Sequence, residues 1–216
     1  MSPKSKLSDG RKKRLSGIRR LVVKIGSSSI TTHDNQLNRP ALRTLIKEVA
    51  ALRESGYEVA IVSSGAVAAG IGRLGLKERP RAISELQAVA AVGQNLLMHA
   101  YESMFRRLGV PIGQVLLTSD DILHDRQRYL NLENTFRQLF RVGAVPVINE
   151  NDSVAIAELK LTIGENDMLA AYVSNLIAAN LLLILSDVDG VHAGYDNSGP
   201  RGAVGPEIEY GDKLLD

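Results

Sequence analysis

Residues 21–29 read Leu-Val-Val-Lys-Ile-Gly-Ser-Ser-Ser, an apolar run that passes through one lysine into a turn of small residues. An apolar run without alternation predicts a strand buried on both faces, which is typical of a parallel sheet. A lysine inside such a strand costs free energy unless an anionic group meets its ammonium. The glycine and serines that follow offer backbone N–H groups to an anion. Taken alone, the stretch is compatible with an anion site or with a lysine that reaches solvent beside an ordinary turn.

The composition is that of a globular protein with one large domain. The chain has 216 residues, of which 44% are hydrophobic and 23% are charged. No apolar run is long enough to cross a membrane. The absence of cysteine excludes disulfides and thiolate chemistry, and the four histidines lack the spacing of a zinc site. We therefore expect a cytoplasmic protein.

The basic residues are concentrated at the N-terminus. Eight of the 26 lysines and arginines fall within the first 20 positions, against one acidic residue, so the rest of the chain is acidic on balance. We interpret residues 1–19 as a solvated, disordered tail, with contact to RNA or an acidic partner as the alternative. The tail lacks the apolar core of a secretory signal. With aromatics at 4%, a surface that stacks nucleic-acid bases is not expected.

Hydrophobic periodicity predicts strands that alternate with helices from residue 21 to residue 185. The predicted strands are 21–25, 57–62, 112–117, 145–148 and 181–185, and the predicted helices are 41–54, 66–74, 84–107, 129–141 and one from the cap at 164–167 to about 179. Residues 153–161 are assigned to a hairpin or edge excursion, and the chain from residue 192 onward is mostly loop. This alternation predicts an α/β fold, a three-layer αβα sandwich around a mostly parallel sheet.

Polar clusters follow the carboxyl ends of the five predicted strands. In an open α/β sheet, ligands bind at that edge, so five clusters there predict an active site. The clusters are Lys24-Ile25-Gly26, Ser63-Ser64-Gly65, Thr118–Asp121, Asn149–Asp152 and Ser186-Asp187.

Three of these features indicate what the site binds. Ser64-Gly65 precedes a predicted helix and would present N–H groups to a carboxylate or phosphate, although a simple helix cap is the commoner meaning. Asn149–Asp152 supplies acceptors and amides suited to an ammonium group, or forms an ordinary turn. Asp167 opens a predicted helix at the ligand edge, where its carboxylate would orient the Lys24 ammonium toward phosphate.

Two familiar motifs do not carry the function. Residues 70–75 match G-x-G-x-x-G but follow a helical stretch, so they fail the context of a dinucleotide site. Residues 187–190 resemble the start of a calcium loop without its downstream ligands. No general-base constellation appears, which fits phosphoryl transfer to a carboxylate, since that oxygen is already an anion.

Seven segments together resemble the amino acid kinase family, in the branch that phosphorylates the γ-carboxylate of L-glutamate at the start of proline synthesis. The resemblance covers about residues 20–190, and the Asn-Glu-Asn-Asp segment separates this branch from the others. The segments are 22–28, 62–70, 90–94, 113–118, 145–152, 164–167 and 185–190.

The resemblance implies roles for single residues in catalysis and in substrate binding. Lys24 would contact the ATP phosphates and stabilise charge on the transferring group, and Asp167 would orient that lysine. The substrate glutamate would be held by Ser64, Asp152 and Asn166.

The resemblance also implies a nucleotide site and partners. Backbone N–H groups of Gly26 and Ser27 would approach the reacting phosphoryl, and Ser186 and Asp187 would lie in the ATP site. ATP with Mg²⁺ would be the phosphoryl donor. Proline would act as feedback inhibitor, and a homo-oligomer is expected, without contact to membrane or nucleic acid.

One departure from the family pattern concerns the nucleotide site. A Gly-Thr-Gly-Gly-Met segment followed by a second phosphate-contacting lysine is expected beyond residues 207–216, and Lys213 does not match that context. We therefore interpret residues 20–216 as a kinase domain without its C-terminal nucleotide-binding part. The alternatives are a non-catalytic module that binds glutamate or proline, and a kinase of another small carboxylate.

Overall fold

Residues 15–155 and 165–187 are described by the structure, a computed structural model of the chain. Two compact units are present, residues 1–185 and residues 186–216. Of the second unit only Ser186 and Asp187 are described. The predicted tail up to residue 14, residues 156–161 of the predicted hairpin or edge excursion, and the predicted loop region from residue 192 onward lie outside the described residues.

Within the first unit, the described residues form five strands and seven helices. The strands are β1 Arg20–Ile25, β2 Glu58–Val62, β3 Ile112–Leu117, β4 Val145–Glu150 and β5 Leu181–Leu185. The helices are α1 Ser27–Ile30, α2 Arg39–Glu54, α3 Ala66–Leu74, α4 Ile83–Arg106, α5 Ser119–Leu123, α6 Arg126–Arg141 and α7 Glu165–Leu176.

All four strand pairings are parallel, and the strand order is β3-β4-β2-β1-β5. β1 therefore lies between β2 and β5, and its residues from Leu21 to Ile25 are buried, as the apolar run predicts. Successive side chains along β1 point to opposite faces. Val23 packs into a core layer with α2 and α4, whereas Val22 packs into a second layer with α6 and α7. The predicted three-layer αβα architecture is confirmed.

The G-x-G-x-x-G match at residues 70–75 lies on α3 and its end, not between a strand and a helix. Its first glycine serves helix packing, because a Cβ on Gly70 would lie 2.0 Å from the carbonyl oxygen of Val89 on α4. Reciprocally, a Cβ on Gly93 would lie 1.8 Å from the carbonyl oxygen of Ala66. The two helices cross backbone to backbone, so the rejection of a dinucleotide motif is supported.

Four of the differences between the observed and the predicted element boundaries have a visible local cause. The serines after Gly26 form the short helix α1, which ends where Thr31 donates from its N–H and its hydroxyl to Ser27 O. α6 begins three residues early, since the Asp125 carboxylate accepts from Arg128 N–H. α7 ends at Leu176, before the positive φ of Ala178, and not at 179. β4 extends through Glu150, because residues 149 and 150 continue the pairing with β3.

Candidate functional site

An ion pair joins β1 to the first turn of α7. Lys24 shares a face of β1 with Val22, the face that α7 covers, and its Nζ lies 2.5 Å from Asp167 Oδ1. The lysine side chain is 11% exposed and the carboxylate-bearing side chain 41% exposed. An ammonium so enclosed requires an anionic partner, and the structure places the predicted one against it. The two residues that the sequence analysis linked are therefore brought together.

Gly26 keeps the space beside this ammonium open. A Cβ at this position would lie 3.9 Å from Lys24 Nζ and 3.7 Å from the carbonyl oxygen of Leu185. The N–H of Gly26 already donates to Leu185 O at 3.2 Å, which ties β1 to β5. Ser27 follows as the first residue of α1, and the first N–H groups of a helix have no acceptor inside it. Because Gly26 has no side chain, it leaves space for a ligand, whereas Ser27 can donate its backbone N–H to one.

Side-chain amides connect the two helix layers across the carboxyl end of the sheet. Asn166 Nδ2 on α7 donates to Ser63 O at 2.6 Å, to Ser64 Oγ at 2.8 Å and to Asn149 Oδ1 at 3.1 Å. Asn149 Nδ2 in turn donates to Gln94 Oε1 on α4 at 2.7 Å. We call Gln94, Asn149 and Asn166 the amide relay. It brings the predicted substrate residues Ser64 and Asn166 into direct contact.

Ser64 does not cap the helix that follows it. The N-cap of α3 is Gly65, in a left-handed conformation with φ 92°, and no side chain caps this end. The Ser64 hydroxyl instead accepts from Asn166. Gly65 of the Ser64-Gly65 pair is thus the helix cap, and the Ser64 side chain belongs to the polar cluster.

Tyr101 supports the base of this cluster and was not found from the sequence. Its side chain on α4 is fully buried, and its hydroxyl shares a 3.1 Å hydrogen bond with Ser63 Oγ. Burial raises the pKa of Tyr101 to about 12, and the bond to Ser63 opposes part of that rise. The tyrosine is neutral at physiological pH, so it contributes a hydrogen bond and apolar packing without charge.

Asp152 lies in the turn after β4 and is partly buried. The turn is held to the sheet edge because Asn151 N–H donates to Leu117 O at 2.8 Å. Its far end is held by α4, where Gln87 Nε2 donates to Ala155 O at 3.3 Å. The acidic side chain that the sequence analysis assigned to substrate thus sits on a segment anchored from both sides.

Ser186 and Asp187 belong to the second unit, where the Ser186 hydroxyl donates to Asp187 Oδ1 at 3.3 Å. Their assignment to the nucleotide site stays a prediction. Among residues 15–155 and 165–187, no group of three or more histidine, aspartate or glutamate side chains is arranged to hold a metal ion. Within the same ranges, no helix has the length and apolar character needed to span a membrane.

Two residues of the cluster, Gln94 and Tyr101, went unassigned in the sequence analysis. Both lie seven residues apart on one face of α4, which a helix repeat of 3.6 brings into line. Gln94 falls inside a segment that carried the family resemblance, but neighbouring alanines and valines gave no sign of a polar partner.

Comparisons with known proteins concern the family and the fold of this chain. The model of the amino acid kinase family matches residues 19–214. Glutamate 5-kinase of Geobacter sulfurreducens is 48% identical over 194 residues, 90% of this chain and 51% of that protein. The glutamate 5-kinase of Clostridium acetobutylicum is 47% identical over 182 residues, covering 84% of this chain and 67% of its own length. That of Thermus thermophilus is 48% identical over 197 residues, 91% of this chain and 52% of the relative.

The fold has a counterpart among solved structures. The crystal structure of UMP kinase from Ureaplasma parvum superposes with a TM-score of 0.53 at 16% identity, over 84% of this chain and 74% of that one. At this identity the likeness concerns the fold alone. The chain spans about half the length of most of the curated relatives quoted above.

Proposed function

Since this chain belongs to the amino acid kinase family, we propose that it transfers the γ-phosphoryl group of ATP to the γ-carboxylate of L-glutamate, the first step of proline biosynthesis. The observation that carries the proposal is the Lys24–Asp167 ion pair beside the Ser64–Asn166 contact. Lys24 pairs in register with Val62 of β2, two residues before Ser64. A charge for phosphate and hydrogen-bonding groups for an amino acid therefore lie at neighbouring strand ends.

The amino acid would be held by Ser64, Asp152 and Asn166. Asn166 uses only Nδ2 in its hydrogen bonds to Ser63, Ser64 and Asn149, so Oδ1 is left to accept from an ammonium group. Asp152 adds a negative charge suited to the same group. Glutamate has one ammonium group and two carboxylates. Its site therefore needs hydrogen-bond acceptors for the ammonium and donors for the carboxylates.

The chemistry requires positioning and charge neutralisation. A γ-carboxylate oxygen attacks the γ-phosphorus of ATP, the new O–P bond forms, and the bond to the β-phosphate oxygen breaks to release ADP. The attacking oxygen is an anion, so no base has to remove a proton. Lys24 stabilises the charge on the transferring phosphoryl group, and Asp167 fixes the direction of its ammonium.

The nucleotide would approach the open space beside Gly26, with the Ser27 N–H as a donor and with Ser186 and Asp187 in the ATP site. Magnesium would arrive with the nucleotide, because Mg²⁺ commonly keeps its waters and binds substrate phosphates. The described residues do not fit a metal site held by protein alone.

The test is turnover by the purified chain. Glutamate and Mg-ATP are supplied, and γ-glutamyl phosphate is trapped as its hydroxamate. Lys24→Met is expected to lower the rate about 100-fold or more, as loss of a transition-state charge does. Lys47→Met, at an exposed position on α2, is the matched control and is expected to keep the wild-type rate.

The outcomes separate the alternatives. Glutamate binding without turnover would favour a non-catalytic glutamate-binding module. If another small carboxylate is turned over in preference to glutamate, that carboxylate is the substrate instead. Wild-type turnover that survives Lys24→Met would contradict the role of the lysine.

Regulation, assembly and location follow as further parts of the proposal. We propose proline as the feedback inhibitor, a homo-oligomer as the assembled form and the cytoplasm as the compartment. These proposals are supported by the resemblance to glutamate 5-kinases.

A further inference from the structure

Two consecutive serines directly after β2 are held from opposite faces of the sheet. Ser63 is fully buried on the face that α4 covers, where its Oγ lies 3.1 Å from the hydroxyl oxygen of Tyr101. The Ser64 hydroxyl instead accepts from Asn166 on α7. Successive side chains of an extended chain point to opposite sides, so only one of the two serines reaches the substrate cluster. The Ser63 side chain can therefore act on that cluster only through the backbone that follows it.

The two buried hydroxyl groups have one arrangement that satisfies both of their hydrogens. Ser63 Oγ lies 3.3 Å from Ser64 O, a backbone oxygen that can only accept. If Tyr101 donates to Ser63 and Ser63 donates to Ser64 O, each hydrogen has an acceptor. If Ser63 donates to Tyr101 instead, the tyrosine hydrogen has no acceptor among the residues that the structure describes. A buried donor without an acceptor costs free energy, so the first arrangement is favoured.

The position of Ser64 O determines where the next backbone N–H points. The described part of the chain has no cis peptide bond, and the C=O and N–H of a trans peptide point in opposite directions. Ser64 O faces Ser63, so the N–H of Gly65 faces away from the buried hydroxyl groups. No acceptor for this N–H lies among the described residues. The observed orientation therefore leaves a backbone donor available beside the Ser64 side chain.

The peptide between Ser64 and Gly65 has a second accessible orientation. Gly65 has φ 92° and ψ 8°, the angles of the third residue of a type II β-turn. Rotation of the preceding peptide by half a turn gives about −90° and 0°, the angles of a type I turn, and glycine adopts both. After that rotation Ser64 O would point away from Ser63, and one of the two buried hydroxyl hydrogens would lose its acceptor. The Ser63–Tyr101 pair therefore selects the observed orientation.

We propose that Ser63 is a positioning residue of the substrate site: its hydroxyl holds the Ser64–Gly65 peptide so that an N–H, and not a carbonyl oxygen, faces the α-carboxylate of the amino-acid substrate. The inference rests on the proposed function and deepens it. In that function Asn166 Oδ1 accepts from the ammonium group, and the α-carboxylate is bonded to the same carbon, which places it beside Ser64 and Gly65. In the rotated orientation Ser64 O would repel this carboxylate.

The experiment compares L-glutamate with 4-aminobutanoate, which lacks only the α-carboxylate. Dissociation constants are measured on the whole chain by ligand-detected NMR titration, which needs no turnover. Wild type is expected to prefer glutamate. The double variant Ser63→Ala/Tyr101→Phe removes both hydroxyl groups and leaves no buried donor unpaired. It is expected to reduce the preference about tenfold, as follows if the observed orientation falls to about a tenth of the population. Binding of 4-aminobutanoate is expected to stay at the wild-type level.

The single variants isolate the Ser63 hydroxyl. Tyr101→Phe leaves Ser63 able to donate to Ser64 O, so it is expected to keep the preference for glutamate. Ser63→Ala leaves the Tyr101 hydrogen without an acceptor, so it is expected to lose the preference and to unfold at a lower temperature than the double variant. Ser84→Ala/Tyr129→Phe, which changes an exposed serine and a partly buried tyrosine, is the matched control.

The results separate this inference from the proposed function. If wild type binds neither ligand, the proposed function fails and the inference falls with it. If wild type binds glutamate without preferring it to 4-aminobutanoate, or if the double variant keeps the preference, the inference alone is overturned. Equal weakening of both ligands in the double variant, or loss of the preference in Tyr101→Phe, overturns it as well. If the double variant does not fold, Ser63→Ala takes its place, and failure of both would assign Ser63 to core stability instead.

Discussion

Lys24 and Asp167 form an ion pair in which the ammonium is nearly enclosed and the carboxylate is half open to solvent. The pair spans two layers, since Lys24 lies on the interior strand β1 of the sheet and Asp167 on the first turn of α7. A negative group that approaches from the solvent side meets an ammonium already held in one direction. For the proposed reaction, the Lys24 ammonium is therefore oriented before a ligand binds.

The two halves of this ion pair are expected to differ in their effect on stability. Asp167→Ala leaves an enclosed ammonium without its partner, and we expect a loss of about 1–3 kcal/mol in the free energy of unfolding. Lys24→Met replaces the charge by an apolar side chain and is expected to cost less. Urea unfolding of both single variants and the double variant measures this. In the Lys24→Met background the cost of Asp167→Ala should fall to the few tenths of a kcal/mol of a helix-dipole contact; a cost that stays unchanged would contradict the coupling.

Gly26→Ala is expected to separate folding from ligand binding. The backbone at Gly26 has φ −70°, and an added Cβ meets nothing closer than 3.7 Å, so the fold accepts the methyl group. The free energy of unfolding is expected to stay level or to rise by about 0.4–1 kcal/mol. The methyl group occupies the space next to Lys24 Nζ, and hydroxamate formation should fall at least tenfold. Wild-type turnover by Gly26→Ala would contradict a phosphate site beside Gly26.

Gly93→Ala is expected to disrupt the crossing of α3 and α4. Its Cβ would lie 1.8 Å from Ala66 O, so the helices must separate, and we expect a loss of more than about 3 kcal/mol. Because Gln94 follows directly, the amide relay is displaced with the helix. Gly17→Ala, where a Cβ meets nothing within 4 Å, is the control. Equal thermal midpoints for the two variants would show that the helices tolerate a wider crossing.

Tyr101 is expected to make the protein sensitive to alkaline pH. Burial raises its pKa in the folded state to about 12, above the value of 10.0 expected in an unfolded chain. The unfolded state therefore loses its proton first, and stability is fully present below pH 10 and falls between pH 10 and about 12. The slope is about 1.4 kcal/mol per pH unit for one group. Urea unfolding over this range should show a shallower loss for Tyr101→Phe than for Tyr129→Phe; parallel curves would argue against a buried, neutral phenol.

Much of the fold was predictable from local pattern. The unbroken apolar run of β1 predicts a strand buried on both faces, and its burial is confirmed. The predicted helix starts were less accurate where a capping side chain determines the first residue. Asp125 caps α6 three residues before the apolar pattern of that helix begins. Capping depends on one hydrogen bond, whereas burial depends on a periodicity that several residues repeat.

The candidate site likewise contains residues that were predictable from the sequence and residues that were not. Lys24 and Asp167 were predictable as partners because a lysine in a buried strand needs an anion, and both residues stand at the ligand edge of a parallel sheet. Gln94 and Tyr101 were not predictable, since each sits on α4 far along the chain from the strand ends that it supports. Their roles depend on the approach of α4 to α3, which Gly70 and Gly93 permit.

The sequence by itself determined which residue types stand at the carboxyl ends of five parallel strands, because hydrophobic periodicity and chain alternation are local properties. Only the tertiary structure decided which of those groups touch. The hydrogen bond from Asn166 to Ser64 and the ion pair from Asp167 to Lys24 each join residues more than a hundred positions apart. Such contacts depend on strand order and on the distance between helix layers, and these are set by how the whole core packs.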